Sequence, residues 1–196
     1  MLSVIAHDYL QKLLHKRDEV HIAVIHVKLT HPLESKVLVN FIENTARDLN
    51  LLWAISKPGI AVSDFHVLMS FYHTLKAFAL GTNISSKFSI EFLLRLTCED
   101  QISRALKIAG LNERTENFCL YLMSSDAEAI KTLLSMLALQ FKGALIESTP
   151  YCHGETLLSE LKVSIKEFTS NSYSLSVLDP KVKSVLTRLS LLNIRR

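Results

Sequence analysis

The chain has 196 residues, 48% of them hydrophobic, and it carries 22 Lys and Arg against 19 Asp and Glu, for a net charge of +3. This length is typical of one domain, and the near balance of charge excludes a polybasic protein that wraps nucleic acid and a protein with an acidic tail. With only 5 Gly and 4 Pro, the composition also excludes disordered and collagen-like chains. The positive mean hydropathy indicates a large core or an apolar surface that serves a partner.

We expect neither a membrane span nor a signal peptide in this sequence. Its apolar runs are shorter than the ~20 residues that cross a bilayer, and the first residues meet Asp8 early and lack a basic leader. The three cysteines, Cys98, Cys119 and Cys152, are odd in number and far apart. This spacing favours buried thiols in a reducing compartment over a disulfide framework or a CxxC metal site.

Apolar periodicity predicts the first elements. We expect a helix over residues 1–17, a strand covered on both faces over 20–27, a helix over 32–50 that Pro32 opens, and a short strand over 51–55. Pro is favoured in a first helical turn because the N–H that it lacks has no partner there.

The next helix has clear signals at both ends. Ser63 is placed to cap it, with Asp64 in its positive first turn, and Gly81 follows Leu80 as a residue that tolerates a left-handed C-terminal conformation. The residues between are apolar nearly all round. That pattern is typical of a helix buried in the middle of the fold, or between the fold and a partner.

Residues 88–96 carry an apolar side chain at every even position and mostly polar residues between. This alternation predicts a strand with one inward face and one largely polar face. On such a strand Glu91 and Arg95 share a face, and we expect a surface pair worth under ~1 kcal/mol. The segment 97–100 has a capping-box arrangement ahead of a helix over 102–109, which Gly110 closes.

The C-terminal part continues the mixture of strands and helices. The patterns predict a strand over 118–123 and then a helix to residue 141, which a capping box at 125–128 opens and Gly143 ends. A short strand over 144–146 and a loop over 150–154 should follow. The last predicted elements are a helical stripe over 155–169 and a final helix that begins at Asp179 and Pro180 and ends near Leu192.

These elements follow no regular βαβ rhythm, so the sequence predicts an α+β fold. We expect a small mixed β-sheet covered by several α-helices. Residues 1–18 are interpreted as an N-terminal helical extension and residues 19–196 as a single domain.

Motifs for catalysis are not found. The sequence contains no GxxxxGK[ST], GxGxxG, GxSxG or HExxH motif. His21 and His26 point to opposite faces of their predicted strand. His66 and His73 lie two helical turns apart, which is too far to share one ion. We therefore expect no metal site, no cofactor and no catalytic residue.

Two alternatives stay open from the residues alone. Cys152 and His153, with Glu155 close by, resemble a fragment of a thiol site, which allows a small thiol-dependent enzyme. A homodimeric interaction scaffold is the other. The composition favours a protein that acts by binding, because apolar helix surface exceeds what one core requires.

Three consecutive segments resemble a known family. They read FALGTNISSK at 78–87, IEFLLRL at 90–96 and QISRALKIAGL at 101–111. In order and spacing they are similar to the TPRKB family, the kinase-binding subunit of the KEOPS complex, with its archaeal relatives. The pattern of that family is a helix, a polar loop with lysines, an E-[LFI]-L-x-x-L strand and a QI-or-NI-x-x-A-[IL]-x-x-x-G helix. The resemblance is clear over residues 20–123 and weaker beyond.

The resemblance implies a non-catalytic function. Members of this family bind the N-terminal lobe of the small atypical kinase subunit and reach the other KEOPS subunits indirectly. The complex attaches a threonylcarbamoyl group to the adenosine beside the anticodon of ANN-reading tRNAs, and a different, metal-containing subunit makes the transfer. Relatives also help to recruit tRNA by holding its single-stranded CCA 3′ end. The resemblance further implies a location in the nucleus and cytoplasm, without membrane attachment.

Two sets of residues are candidates for these contacts. A CCA end needs cations for its phosphates and flat or apolar surfaces for its bases. The RNA candidates are Lys76, Asn83, Ser85, Ser86, Lys87, Gln101, Arg104 and Lys107. The kinase candidates are Val182, Val185, Leu186, Leu189 and Leu192 on the terminal helix, and then Phe71 and Phe78. The first set can equally consist of ordinary surface residues, and the second can equally pack in the core.

Overall fold

The computed structural model describes residues 2–15, 20–142, 144–147, 155–161 and 179–194. In chain order these residues form α1 (Leu2–His15), β1 (His21–Glu34), α2 (Ser35–Asp48), β2 (Leu52–Ser56), α3 (Asp64–Leu80), α4 (Phe88–Leu96), α5 (Ile102–Ala109), β3 (Arg114–Ser124), α6 (Ala127–Gln140), β4 (Leu145–Glu147), α7 (Glu155–Glu160) and α8 (Pro180–Ile194). None of the helices in these ranges is long and apolar enough to cross a membrane.

The strands form one sheet with the order β2-β3-β1-β4. Each neighbouring pair is antiparallel, so the α+β class is confirmed while the sheet is antiparallel rather than mixed. The two central strands pair from His21 opposite Ser124 to Lys28 opposite Asn117, and the register shifts before Leu33 opposite Thr115.

The sheet has helices on both faces, which explains why its central strands are apolar on both sides. On one face, Val27, Phe118 and Leu120 join a cluster with α2 and α6. On the other, Tyr121 and Met123 join a cluster with α1, α3, α4, α5, α7 and α8. The division between the predicted extension and the domain stays a prediction.

The start of α2 differs from the sequence prediction. Pro32 lies in the outer part of β1, and the helix begins at Ser35. The irregular pairing between Lys28 and Leu33 allows a proline there, because a residue outside the ladder need not donate a hydrogen bond. The strand β1 therefore extends beyond the apolar run from which it was predicted.

The largest correction concerns residues 88–96, which form the helix α4 and not a strand. Period-two alternation ignored Leu93, which is buried together with Phe92 and Leu94. A helix buried on most sides has no polar stripe to reveal its period. The segment is also rich in residues that favour helices, such as leucine, glutamate and arginine.

The turn after α4 also differs from the prediction. Thr97 is the C-cap of α4, and its hydroxyl donates to the carbonyl of Leu93 at 2.7 Å. Cys98 adopts a left-handed conformation with φ of 57°. The N-cap of α5 is Gln101, without a side-chain capping bond, so the expected capping box at 97–100 is not formed.

The predicted caps at Ser63 and Asp179 are confirmed, whereas the cap of α6 lies one residue later than predicted. The Ser63 hydroxyl accepts the N–H of His66 at 3.1 Å. Asp126, rather than Ser125, caps α6 by accepting the N–H of Glu128. Asp179 accepts the N–H of Lys181 at 2.7 Å. The predicted loop at 150–154, the expected helix end at Gly143 and the predicted helical residues 162–169 lie outside the described residues.

Gly81 and Gly110 each end a helix, and we expect replacement by alanine to destabilise the fold for a different reason at each position. Gly81 has φ of 68° with open space where a Cβ would lie, so Gly81→Ala should cost about 1 kcal/mol through backbone strain alone. A Cβ on Gly110 would lie close to the backbone carbonyl of Leu106, so Gly110→Ala should cost about 3 kcal/mol. Urea unfolding of the two variants measures the difference. Equal losses would contradict this account.

Candidate functional site

The candidate RNA residues lie on three pieces of the structure: the last turns of α3, the loop at residues 81–87 (the α3–α4 loop), and α5 with the residue just before it. Most are exposed, and two are not: Asn83 is half-buried and Ser85 is buried. The exposed members are Lys76, Ser86, Lys87, Gln101, Arg104 and Lys107. The four cations among them, two lysines on α3 and in the loop and Arg104 and Lys107 on α5, are therefore individually accessible to an anionic partner.

The carboxylate of Glu91, on α4, anchors the backbone of the α3–α4 loop. One of its carboxylate oxygens accepts the backbone N–H groups of Ile84 and Ser85, both at 2.9 Å. The other oxygen lies 2.5 Å from Nη2 of Arg95. The two charged side chains are 0% and 1% exposed, so this is a buried pair and not the surface pair that the sequence predicted.

The loop is shaped further by its own side chains. The amide of Asn83 donates to the carbonyl of Ser85 at 3.0 Å, and the hydroxyl of Ser85 accepts the N–H of Lys87 at 3.2 Å. Asn83 and Ser85 therefore build the loop, while Ser86 and Lys87 lie on its outside. The Lys87 ammonium is 4.0 Å from a Glu43 oxygen, a long surface contact that leaves the cation accessible.

The exposed residues of α5 include two cations, Arg104 and Lys107. Arg104 lies 3.4 Å from a carboxylate oxygen of Glu99. Burial raises the pKa of Glu99, and the neighbouring Arg104 opposes that change. Ile102 and Leu106 are 36% and 41% exposed on the same helix. The surface of α5 thus offers apolar side chains next to cations, the combination that single-stranded RNA uses.

Sequence reasoning missed a groove of about 460 Å³ beside this surface. It lies between α2, β2 and the helices α4 and α5, and Val39, Trp53, Ile90 and Leu106 give it an apolar lining with Lys36 as its cation. Its members come from four separate segments, so no local pattern could have indicated it. The single tryptophan of the chain was the only available signal.

The kinase candidates mostly face the chain's own core. Val182, Val185, Leu189 and Leu192 are buried on α8, and Leu186 is half-buried. The apolar stripe of α8 therefore packs against the fold, the alternative that the sequence left open. Among the apolar side chains described on α8, Leu191 is exposed, at 45%, and Leu186 is partly exposed.

The two aromatic candidates are also core residues. The ring of Phe71 packs against that of Phe92 with centroids 4.5 Å apart, and Phe78 stacks on Phe88 at 5.9 Å. Phe71 is 0% and Phe78 6% exposed. In this structure their side chains are not accessible to a partner.

The thiol of Cys98 is kept protonated by its surroundings. Burial raises the pKa of the Cys98 thiol to about 12, and its sulfur lies 3.5 Å from the carbonyl of Val185. Cys152 and His153 lie outside the described residues. Within the described ranges, no three His, Cys, Asp or Glu side chains are grouped so that they could hold a metal ion.

Two histidines of α3 lie beside α4 in neutral form. Burial lowers the pKa of His66 to about 4, although the nearby backbone of Leu96 opposes this. Its Nδ1 accepts the N–H of Val62 at 3.3 Å. Burial also lowers the pKa of His73 to about 4, and the charges of Arg95 and Lys76 add to the effect.

These shifts predict that acid destabilises the fold. Because the folded-state pKa lies below the ordinary 6.5, the unfolded chain binds more protons between pH 6.5 and 4, and stability falls as the pH decreases through that window. His66 contributes up to about 1.4 kcal/mol per pH unit, and the partly exposed His73 contributes less. Urea unfolding at several pH values measures the slope. His66→Asn keeps an acceptor for Val62 and should flatten the slope; an unchanged slope would contradict the assignment.

Comparison with known proteins gives one finding. The family model described as "Kinase binding protein CGI-121" matches residues 11–167 of the 196. The match includes the α3–α4 loop, α4 and α5, the segments on which the resemblance to the TPRKB family rests. No curated protein matches the chain.

Proposed function

The chain belongs to the CGI-121 family of kinase-binding proteins, which is the TPRKB family, and from this premise we propose that it is the non-catalytic, kinase-binding subunit of a KEOPS complex and helps to recruit tRNA. The match over residues 11–167 is the observation that carries the proposal. In this role the chain binds the small atypical kinase, reaches the other subunits through it, and works in the nucleus and cytoplasm. Threonylcarbamoyl transfer to tRNA belongs to another subunit.

The kinase contact should use side chains that the fold leaves exposed. Of the side chains described on α8, the exposed apolar one is Leu191, and Leu186 is half-buried. On the opposite face of the sheet, α6 exposes Leu139 at 76%. These two leucines allow a matched comparison, because each can take a negative charge without disturbing the core.

We expect the chain to co-purify with the kinase subunit, and Leu191→Asp to weaken the complex about tenfold or more, since a charge placed in an apolar contact is costly. Leu139→Asp, with the same change in charge, should leave the affinity unchanged. Isothermal calorimetry with the purified kinase subunit measures both. Failure of the wild-type chain to bind the kinase would refute the proposed function, whereas equal effects of the two variants would refute only the choice of α8.

The RNA contact is supported by the surface around the α3–α4 loop. Lys76, Lys87, Arg104 and Lys107 are exposed there, and Ile84, Ile102 and Leu106 place apolar side chains on the same pieces of structure. Cations suit the phosphates of a single-stranded 3′ end, and apolar surface suits its bases. The tRNA end is therefore the part that this surface fits.

The double variant Lys87→Ala/Arg104→Ala should weaken binding of tRNA and lower the slope of log affinity against log salt by about 1.4, because two fewer phosphates are neutralised on a single strand. The matched control is Lys131→Ala/Lys142→Ala, which removes two exposed lysines at α6 and just after it. Filter binding at several salt concentrations, with tRNA that has or lacks CCA, gives the measurement. An unchanged slope in the first variant would exclude these residues from the contact.

A further inference from the structure

We propose that the buried Glu91–Arg95 pair is a positioning device that holds the backbone of the α3–α4 loop in one conformation and so fixes the surface offered to a single-stranded RNA end. The inference rests on the proposed function for its RNA contact, and on geometry for the anchor itself. Neither side chain reaches the surface, so both would act through the loop and not by touching RNA.

The geometry of the anchor is specific to the loop. One carboxylate oxygen of Glu91 receives two consecutive backbone N–H groups, those of Ile84 and Ser85, at 2.9 Å each. Two consecutive donors that converge on one acceptor restrict the backbone angles between them. The other oxygen of Glu91 is held by Arg95, so the carboxylate cannot rotate away from the loop without breaking the ion pair.

Packing alone does not explain the pair. Two buried charges lose their hydration, and an apolar pair of similar volume often serves a core equally well. Glu91 and Arg95 lie one turn apart on a helix that is otherwise buried among apolar side chains. An apolar pair would leave the backbone amides of Ile84 and Ser85 without the acceptor that the Glu91 carboxylate provides.

Fixing the loop places its outer side chains. With the backbone of residues 84 and 85 held, the Ser85 hydroxyl accepts the N–H of Lys87, the residue that precedes the first turn of α4. Lys87 then projects its ammonium with 66% exposure, and Ile84 presents an apolar side chain with 41% exposure. A loop that is ordered before binding avoids the entropy loss of ordering on contact.

Two double variants separate positioning from charge and packing. Glu91→Leu/Arg95→Met removes the ion pair and the acceptor, whereas Glu91→Gln/Arg95→Met removes the pair and keeps a side-chain carbonyl for the loop amides. Both variants leave the net charge at the wild-type value, so a difference in RNA affinity cannot arise from long-range electrostatics. Thermal unfolding shows that each variant is folded.

For Glu91→Leu/Arg95→Met we expect amide hydrogen exchange at Ile84 and Ser85 to accelerate about tenfold, and affinity for tRNA with an intact CCA end to fall about tenfold. For Glu91→Gln/Arg95→Met, both losses should be smaller, about threefold, because the acceptor for the loop amides remains while the ion pair that orients it is lost. Wild-type affinity in the leucine variant, or equal losses of affinity in the two variants, would overturn the inference.

Exchange in the wild-type chain provides a test that needs no variant to fold. The amides of Ile84 and Ser85 should exchange at least about tenfold more slowly than unprotected amides of the same sequence. Unprotected rates there would overturn the anchor. If the wild-type chain failed to bind tRNA, the proposed RNA role would fall and the purpose of the pair with it, while slow exchange would still show that the anchor exists.

Discussion

The carboxylate of Glu91 is the interaction on which the candidate surface depends. On a strand, residues four apart have their α-carbons about 13 Å apart, whereas on a helix their side chains meet within about 6 Å. The close contact of Glu91 with Arg95 is therefore possible only because residues 88–96 are helical. The same helix directs the second carboxylate oxygen toward the backbone of the α3–α4 loop. The conformation of the α3–α4 loop thus depends on the buried Glu91 carboxylate, and the ion pair of that carboxylate depends on the helical structure of residues 88–96.

The sequence predicts elements whose ends are marked by polar residues or glycine better than elements that are buried on nearly every side. The boundaries of α3 were predictable because Ser63 and Gly81 have end-specific roles, one as an acceptor and one in a left-handed conformation. The central strands β1 and β3 were predictable because each contains an apolar run with polar residues on either side, although both strands extend beyond those runs. For α4, nearly every face is buried, so its apolar pattern could not distinguish a helix from a strand. The charged pair at spacing four was the helix signal that alternation concealed.

The candidate site was predictable only in part, since an apolar stripe does not reveal what covers it. The stripe of α8 had the spacing of a docking helix, but Val185 and Leu189 pack inside the fold. The converse holds for the groove, whose lining comes from α2, β2, α4 and α5 and becomes contiguous only after folding. Exposed cations such as Lys87 were easier to place, because a lysine is rarely buried wherever it lies in the sequence.

The described groups with strongly shifted pKa values owe those shifts mainly to burial. In an active site, burial and neighbouring charges bring such groups together in a cleft and tune them toward reactivity. Here, burial keeps His66 neutral beside α4 and keeps the Cys98 thiol protonated against the backbone of α8. Both groups join elements of the fold to one another. Their shifts are therefore consequences of the packing that holds α3, α4 and α8 together.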